Sequence, residues 1–455
     1  MNCRKSYKGA ALIISMIFVL IFSALAVSMA AMSGTNVQIA ENLRKANRAR
    51  ACAESGLDIL RFWLNQFSMP STSAASAKFS NLVTFLQNDL TPNILFDYDG
   101  SSLTTTSPVT LDSTAAQTFS AKINADDPLD AEILQVDVTG TSGTITRTIR
   151  VKYDFGPRVN PLFDYGVATK GPLQLTGNVD LEGASVDASV YIEAEGEETA
   201  LELIGKCTIA GDVSIVDPYA DVQLSPSSSI GGETGQDAID NHVSFGEAPV
   251  EFPVPNPGYF EQYVLNTFDP NNVLTEYENV RIPAGTDHSF SAGVTLKGIV
   301  FIETPNVLIF TGHVDITGII VGEGDMNDNS GTNLISFLGT VSSHPVTDLP
   351  DESQFIDLKN ETGTFLMAPG FSVSFGGNFN TLNGVIAANG IEFFGNAGGT
   401  VGGSVINYSN EPMTLTGNTD LFFERSGTVE LPAGFDTEII LKYLPEYYCE
   451  VTPGL

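Results

Sequence analysis

Residues that carry most enzyme and metal chemistry are scarce in this 455-residue chain, which has only four histidines and four cysteines. His242, His288, His313 and His344 lie far apart, and no HExxH or clustered Cys/His spacing suggests a zinc site. The phosphate-binding GxxxxGK[ST] and the nucleophile elbow GxSxG are also missing from the sequence. The sequence therefore predicts no enzymatic activity and no bound organic cofactor.

Basic residues are few, with 21 lysines and arginines against 54 acidic residues. Residues 156–455 contain 8 basic and 41 acidic side chains, so the net charge of -33 comes from this part of the chain. Such a surface repels phosphates, which excludes nucleic acid as a partner. It suits a soluble body outside the cytoplasm.

One long apolar run dominates the N-terminus. Arg4, Lys5 and Lys8 precede an uncharged stretch from Gly9 to Ala40. At about 1.5 Å per helical residue, this stretch reaches the hydrocarbon thickness of about 30 Å. We therefore expect a single membrane-spanning helix whose N-terminus stays on the cytoplasmic side.

The helical pattern continues after the apolar run. Apolar residues recur at helical spacing from Ile39 to Phe67, and Pro70 ends the pattern. The sequence predicts one transmembrane and amphipathic helix over residues 10–67.

The junction KGAALIISMIFVLIFSALAVSMAAM and the following SGTNVQIAENLRKANRARACAESGLDIL resemble the N-terminal region of PilX-type minor pilins and related pseudopilins. The resemblance covers roughly the first 65 residues. It implies that residues 1–9 form a leader cut between Gly9 and Ala10 by a prepilin peptidase. It also implies a bacterial inner-membrane location, a periplasmic or extracellular C-terminal part, and other pilin-like subunits as partners.

One position departs from the family. Major pilins carry a glutamate at the fifth mature position, which here is Ile14. An unpaired charge in lipid is costly, so a subunit that does not pair this glutamate with a neighbour can lose the glutamate. Ile14 favours a minor or tip-proximal component. An ordinary signal anchor, or a secretory signal cut near Ala30, remains an alternative.

Residues 68–155 change character. A Ser/Ala/Thr-rich link holds one short predicted helix around residues 79–90, and alternating runs then predict antiparallel strands. The hairpin loop is Thr139 to Gly143. A long helix followed by a small antiparallel sheet is the plan of pilins.

Residues 156–455 contain an internal repeat. GIVFIETPNVLIFTGHVDITGIIV begins at Gly298 and GVIAANGIEFFGNAGGTVGGSVIN at Gly384, while LTGNVDL and LTGNTDL are almost identical. Stacked coils are the physical solution for such units, so we predict a parallel β-helix or solenoid with Gly312, Gly395 and Gly417 at equivalent corners. A β-sandwich is the competing fold. Residues 235–284 are rich in proline and predict an irregular insertion.

Three aspartates, Asp180, Asp315 and Asp420, follow glycine corners, and their spacing predicts an equivalent repeat position for all three. Some β-helices hydrolyse polysaccharides with paired carboxylates. Recurrence argues for a structural role instead, because an active site normally occurs once.

The loop GEGDMNDNSG brings together five oxygen-bearing residues and is a weak calcium candidate. It lacks the glycine and the terminal glutamate of a standard calcium loop. The candidate ligands are Glu323, Asp325, Asn327, Asp328 and Asn329.

Two cysteines, Cys207 and Cys449, lie in the exported part of the chain. An oxidising envelope would allow them to pair, and two free buried thiols are the alternative.

Together these features predict a non-enzymatic minor pilin or pseudopilin with a β-solenoid head that contacts a surface ligand or carbohydrate. It would serve a type IV pilus or a secretion pseudopilus. The alternative is a signal-anchored envelope β-helix protein that binds or cleaves carbohydrate and never enters a filament.

Overall fold

The structure is a computed structural model that describes residues 8–70, 77–88, 94–114, 116–127, 130–183, 188–194, 196, 199–327, 331–425 and 431–451. Side chains are described from Leu12 onward, except those of 126–127 and 130–132. The chain divides into two compact units. We call Met1–Pro157 with Glu438–Leu455 the helix–sheet unit and Arg158–Thr437 the parallel-sheet unit.

A single long helix, α1 (Lys8–Leu64), opens the helix–sheet unit. It contains the whole apolar run and continues without a break through Gly34. The predicted end at Phe67 is three residues late, because the chain turns after Leu64 and Pro70 already lies in the first strand.

An antiparallel sheet completes this unit. The elements are β1 (Ser68–Pro70), α2 (Lys78–Asn88), β2 (Phe96–Tyr98), β3 (Ser102–Thr105), β4 (Val109–Asp112), β5 (Gln117–Asp127), β6 (Asp130–Ser142), β7 (Ile145–Pro157) and β35 (Glu438–Val451). Over the described residues the sheet has eight strands in the order β1-β35-β7-β6-β5-β3-β2, with β4 beside β5, and it curves into a half-barrel. It is larger than the small sheet that the sequence predicts.

The second half of α1 packs on this sheet. Ala49, Ala53, Leu57 and Leu60 are each at most 4% exposed. Gly140 of β6 makes the close approach possible, because a Cβ there would lie 2.1 Å from the Ala49 carbonyl oxygen. Helix and sheet backbones therefore touch at a position where any side chain would separate them.

The last strand corrects the predicted domain boundary. β35 pairs antiparallel with β7, with Ile439 opposite Pro157 and Lys442 opposite Asp154. Residues 156–455 are therefore not one body, contrary to the expectation from sequence. The parallel-sheet unit is an insertion in the chain between two strands that are hydrogen-bonded neighbours. No local pattern indicates this pairing, because it joins segments almost 300 residues apart.

The parallel-sheet unit is built from short strands joined by glycine-rich turns. In chain order its elements are β8 (Val167–Thr169), β9 (Leu173–Gly183), β10 (Val190–Ile192), β11 (Thr199–Ile209), β12 (Val213–Ile215), β13 (Asp221–Leu224), β14 (Ser229–Ile230), β15 (Glu233–Thr234), α3 (Gly235–His242), β16 (Val243–Phe245), β17 (Val254–Pro255), β18 (Asn266–Thr267), β19 (Glu276–Ile282), β20 (Ser289–Phe290), β21 (Val294–Ile302), β22 (Val307–Phe310), β23 (Val314–Gly322), β24 (Leu334–Phe337), β25 (Val341–His344), β26 (Thr364–Ala368), β27 (Ser372–Phe375), β28 (Thr381–Leu382), β29 (Val385–Ala388), β30 (Ile391–Phe393), β31 (Gly398–Val401), β32 (Val405–Asn407), β33 (Met413–Phe423) and β34 (Phe435–Asp436).

Most of these strands form two large sheets. Among the described residues, the first parallel sheet has 12 strands in the order β16-β12-β10-β8-β32-β29-β26-β23-β21-β19-β18, with β25 beside β23. The second has 13 strands and follows β15-β14-β11-β9-β33-β30-β27-β24-β22-β20, with β13, β28 and β31 off this path. Apart from the β14 and β15 pair, its pairs are parallel. β17 and β34 form a separate antiparallel pair.

The order of strands reveals an unexpected path. β8, the first strand, lies between β10 and β32, so the earliest and the latest strands are neighbours in the middle of the sheet. Residues 246–265 connect β16 at one end of this sheet to β18 at the other. The predicted insertion at 235–284 thus contains α3 and this connection, and its last part rejoins the sheet as β19.

An aromatic column fills the core between the sheets. Phe290, Phe310, Phe337, Phe375 and Phe393 stack with successive ring centroids 4.8, 5.1, 5.1 and 5.0 Å apart. The rings are nearly parallel because in-register parallel strands repeat the same inward position. The connection covers the other face of the first parallel sheet with the buried rings of Phe252 and Phe260.

Candidate functional site

The first half of α1 is an apolar surface on which no other described residue packs. Every side chain from Leu12 to Ala40 is exposed, including Leu12 at 71% and Phe18 at 55%. We call residues 12–40 the apolar segment. A patch of this size on a soluble protein is rare, so it is a surface that lipid or other apolar helices must cover.

Length and polarity suit a bilayer. Over the described residues, one helix is long and apolar enough to cross a membrane, with a mean hydropathy of 2.7 in its best window. Three of its hydroxyl groups are also satisfied internally. Ser15, Ser23 and Thr35 donate to the backbone carbonyls of Leu12, Val19 and Ala31. No polar side chain of this set needs water, which is what a helix in hydrocarbon requires.

Charge returns where the apolar segment ends. Glu41 Oε2 lies 2.7 Å from the Arg44 guanidinium, and its other oxygen lies 3.7 Å from Lys45 Nζ. The hydrogen bond from Arg44 lowers the pKa of Glu41. Arg44 and Lys45 therefore already form ion pairs with Glu41 on the same helix. The surface of this turn carries both charges, and it can still contact lipid headgroups or acidic side chains of a neighbouring molecule.

A polar contact also fastens α1 to the last strand. The Tyr448 hydroxyl donates to Glu54 Oε1 at 3.2 Å, and Arg50 Nε donates to the same oxygen at 3.1 Å. Sequence reasoning missed this contact, because the only signal is the aromatic pair in EYYCEV and its partner lies far away in the chain. The helix half that continues from the apolar segment is thus anchored by both packing and hydrogen bonds.

The leader junction is only partly described. Gly9 and Ala10 lie in the first turns of α1, which begins at Lys8. Their side chains, and residues 1–7 with Cys3, lie outside what the structure describes. Cleavage between Gly9 and Ala10 stays a prediction.

The calcium candidate is not brought together as a ligand set in the described part of the loop. Asp325 Oδ1 accepts hydrogen bonds from the Asn327 backbone and side-chain nitrogens, both at 2.9 Å. Glu323 instead accepts from the Thr304 backbone at 3.4 Å. Asp328 and Asn329 lie outside the described residues. No group of three acidic, histidine or cysteine residues among the described residues could hold a metal.

The cysteines are free thiols in the structure. Cys207 is fully buried and its sulfur lies 3.5 Å from the carbonyl oxygens of Leu175 and Ile204, while Cys449 is exposed. Burial raises the pKa of Cys207. Cys207 is therefore a buried thiol and Cys449 an exposed one, and pairing of the two stays a prediction.

The three repeat aspartates are not equivalent. Asp180 and Asp420 are register partners on β9 and β33, whereas Asp315 lies on β23 in the other parallel sheet, 3.4 Å from His344. Burial and the nearby charge of Asp180 raise the pKa of Asp420. Asp315 was misplaced because its Gly-x-x-Asp spacing mimics the corner motif of the other two.

Comparison with known protein families gives a match at the N-terminus of the chain. The family model described as PilX N-terminal matches residues 8–58. No curated protein sequence matches the chain. Among solved structures, the chain is similar to competence-associated pilin ComZ from Thermus thermophilus, with 12% identity, a TM-score of 0.30, and coverage of 90% of this chain and 97% of that one.

The family match covers α1 from its first residue to Asp58, six residues before the helix ends. It therefore covers the whole apolar segment and the charged turn after it. This confirms the resemblance predicted from the sequence for the N-terminus: over residues 8–58, the helix α1 matches the PilX N-terminal family.

Proposed function

We propose that this chain is a non-enzymatic structural subunit of a type IV pilus or of a secretion pseudopilus, in the role of a minor pilin or pseudopilin. The observation that carries the proposal is α1 itself. One continuous helix presents an unpacked apolar segment at residues 12–40 and packs its other half on an antiparallel sheet. Such a helix serves first as a membrane anchor and then as the surface that meets other pilin-like helices.

We further propose that the parallel-sheet unit is a β-solenoid. Support comes from register: Gly298 pairs with Gly318, and LTGNVDL pairs with LTGNTDL so that Gly177 lies beside Gly417. Parallel pairing of this kind disfavours the competing sandwich, whose sheets are antiparallel. Glycines also follow one another from coil to coil, since a Cβ on Gly417 would lie 2.5 Å from the Gly395 carbonyl oxygen.

In this proposal the protein sits in the bacterial inner membrane before assembly, and the acidic body lies on the periplasmic or extracellular side. Its partners are other pilin-like subunits, the membrane and a surface ligand. The rival function, an envelope protein that binds or cleaves carbohydrate without entering a filament, makes a different prediction for the N-terminus.

Leader processing tests the proposal. With a prepilin peptidase co-expressed, we expect the mature protein to begin at Ala10, and Gly9→Val to leave the full leader attached. The measurement is mass spectrometry of the N-terminal peptide. Ala11→Val is the matched control, because it changes a neighbouring small residue outside the cleaved bond and should still be processed. A mature start at Met1 in the wild type, or after Ala30, would contradict the pilin function.

The apolar residue at position 14 makes a second prediction. Ile14 is 54% exposed on the apolar segment and offers no carboxylate to a neighbour's N-terminal amine. We expect filaments purified from cells to contain this chain as a small minority, and Ile14→Glu to increase its share. Ile13→Glu should not, because it places an unpaired charge in lipid. Quantitative mass spectrometry of sheared filaments measures this, and filaments built mainly from the wild-type chain would refute it.

A further inference from the structure

A groove crosses the outward face of the second parallel sheet. It has a volume of about 550 Å³ and runs over β24, β27, β30 and β33. The sheet's other face carries the phenylalanine column, so this groove is separate from the core.

The floor of the groove is a row of polar side chains in register. Ser374 lies opposite Glu392 on the next strand, and Glu392 lies opposite Thr414. The Ser374 hydroxyl donates to Ser336 Oγ at 2.7 Å, and Ser374 is 8% exposed. The floor is therefore polar, and its Ser374 hydroxyl is already hydrogen-bonded within the sheet.

The walls are apolar. Leu334, Phe394 and Pro412 line the sides. The Phe394 ring lies over Gly376, where a Cβ would come within 2.6 Å of the ring. Because Gly376 has no side chain, the Phe394 ring can pack closely against the sheet backbone at the side of the groove.

Two carboxylates supply all the formal charge of the described lining. Glu392 and Glu411 line the groove, and no lysine, arginine or histidine belongs to the part of the lining that the structure describes. Both glutamates are exposed, and among the described residues neither side chain has a hydrogen bond or an ion pair. The Glu411 backbone is held by the Ser409 hydroxyl at 3.1 Å, which fixes its position on the rim.

We infer that this groove binds a lysine or arginine side chain from a basic segment of a partner protein. A long basic side chain is amphipathic: its methylene stem packs on apolar walls and its charged head seeks carboxylates. An aromatic face adds a cation–π contact. The acidic excess of residues 156–455 raises the local concentration of cationic partners and lowers that of anionic ones.

Tetralysine with blocked ends is the probe, titrated by calorimetry into the full chain in uncharged detergent micelles. We expect E392Q, E411Q and F394A each to weaken binding about 3- to 5-fold, the effect of losing one partly exposed charge or cation–π contact. The matched control is E202Q. Glu202 lies in the same outward row as Glu392, two strands beyond Thr414 and outside the groove, and its loss should leave affinity unchanged.

Two results would overturn the inference. Equal losses in E392Q, E411Q and E202Q would mean that the peptide binds the overall acidic surface. Binding of the neutral sugar maltotriose, lost in F394A but insensitive to both groove glutamine variants and to salt, would assign a saccharide site instead. Circular dichroism melts of each variant, expected to match the wild type, separate lost binding from lost folding.

Discussion

Truncation after Thr437 is expected to unfold the helix–sheet unit, although it removes none of the elements that the pilin resemblance covers. β35 supplies nine register pairs to β7 and also pairs with β1. It buries Ile439 and Leu441, and each buried aliphatic side chain contributes about 1.5–3 kcal/mol. With the lost ladder hydrogen bonds at about 1 kcal/mol each, the total approaches the whole stability of a small domain.

Trp63 on α1 is the single tryptophan of the chain, so its fluorescence reports on this unit. We expect the truncated chain in detergent to show a red-shifted emission and no cooperative urea transition from this probe. A chain that ends at Val451 is the control and should behave as the full protein. A truncated chain with a native Trp63 transition would show that β35 is dispensable.

Gly417→Val is expected to destabilise the parallel-sheet unit by about 3–5 kcal/mol, combining backbone strain with overpacking. Gly417 has a φ of 89°, in the left-handed region. A Cβ there would also lie 2.5 Å from the Gly395 carbonyl oxygen, which belongs to backbone and cannot move aside. The structure therefore adds a steric term to the strain expected from the sequence alone.

Gly285→Ala separates the cost of backbone strain from the cost of steric overlap. Gly285 has a φ of 70° but open space around its Cβ position, so alanine there should cost only about 1 kcal/mol. Gly417→Ala should cost clearly more. Urea unfolding followed by far-ultraviolet circular dichroism measures both. Equal effects at the two positions would mean that coil-to-coil contact at Gly417 is unimportant.

Local patterns predicted the helix and its neighbours well. Continuous hydropathy predicts α1, and the spacing of Leu82, Val83 and Leu86 predicts α2, whose three residues are buried. Alternation predicts the β6 and β7 hairpin, but the predicted loop from Thr139 to Gly143 is too long. Residues 139–142 still pair with β7, so the turn consists of Gly143 and Thr144 alone. These features depend on neighbours in sequence, so composition and period are enough to find them.

Long-range pairing could not be predicted in the same way. β35 pairs with β7 on one side and β1 on the other, and no feature of its residues identifies either strand as a partner. Only LTGNVDL and LTGNTDL provided a usable signal, since near-identical segments suit neighbouring positions in a stack. Because the two segments are 240 residues apart in the chain, the sequence suggests that they lie in distant coils, whereas the structure pairs them directly.

The candidate sites differ in the same way, because one is contiguous in sequence and the other is assembled from distant segments. The apolar segment is contiguous, and the sequence alone located it. The groove was missed because Glu392, Phe394 and Glu411 come from separate strands and turns, and each alone is an ordinary surface residue. Gly312 shows an intermediate case. It lies against the next glycine turn, since a Cβ on Gly339 would lie 2.0 Å from the Gly312 carbonyl oxygen, but its own φ is not left-handed.

The meeting of the first and last strands in the middle of the sheets has a consequence for biosynthesis. Thr169 receives a hydrogen bond from Asn407, 238 residues later in the chain. Until β32 and β33 have been synthesised, β8 and β9 have one edge each without their native partner. Exposed parallel edges invite wrong pairing. The nascent chain is therefore exposed to wrong pairing until its second half is available, and its folding yield should depend on how quickly the second half follows the first.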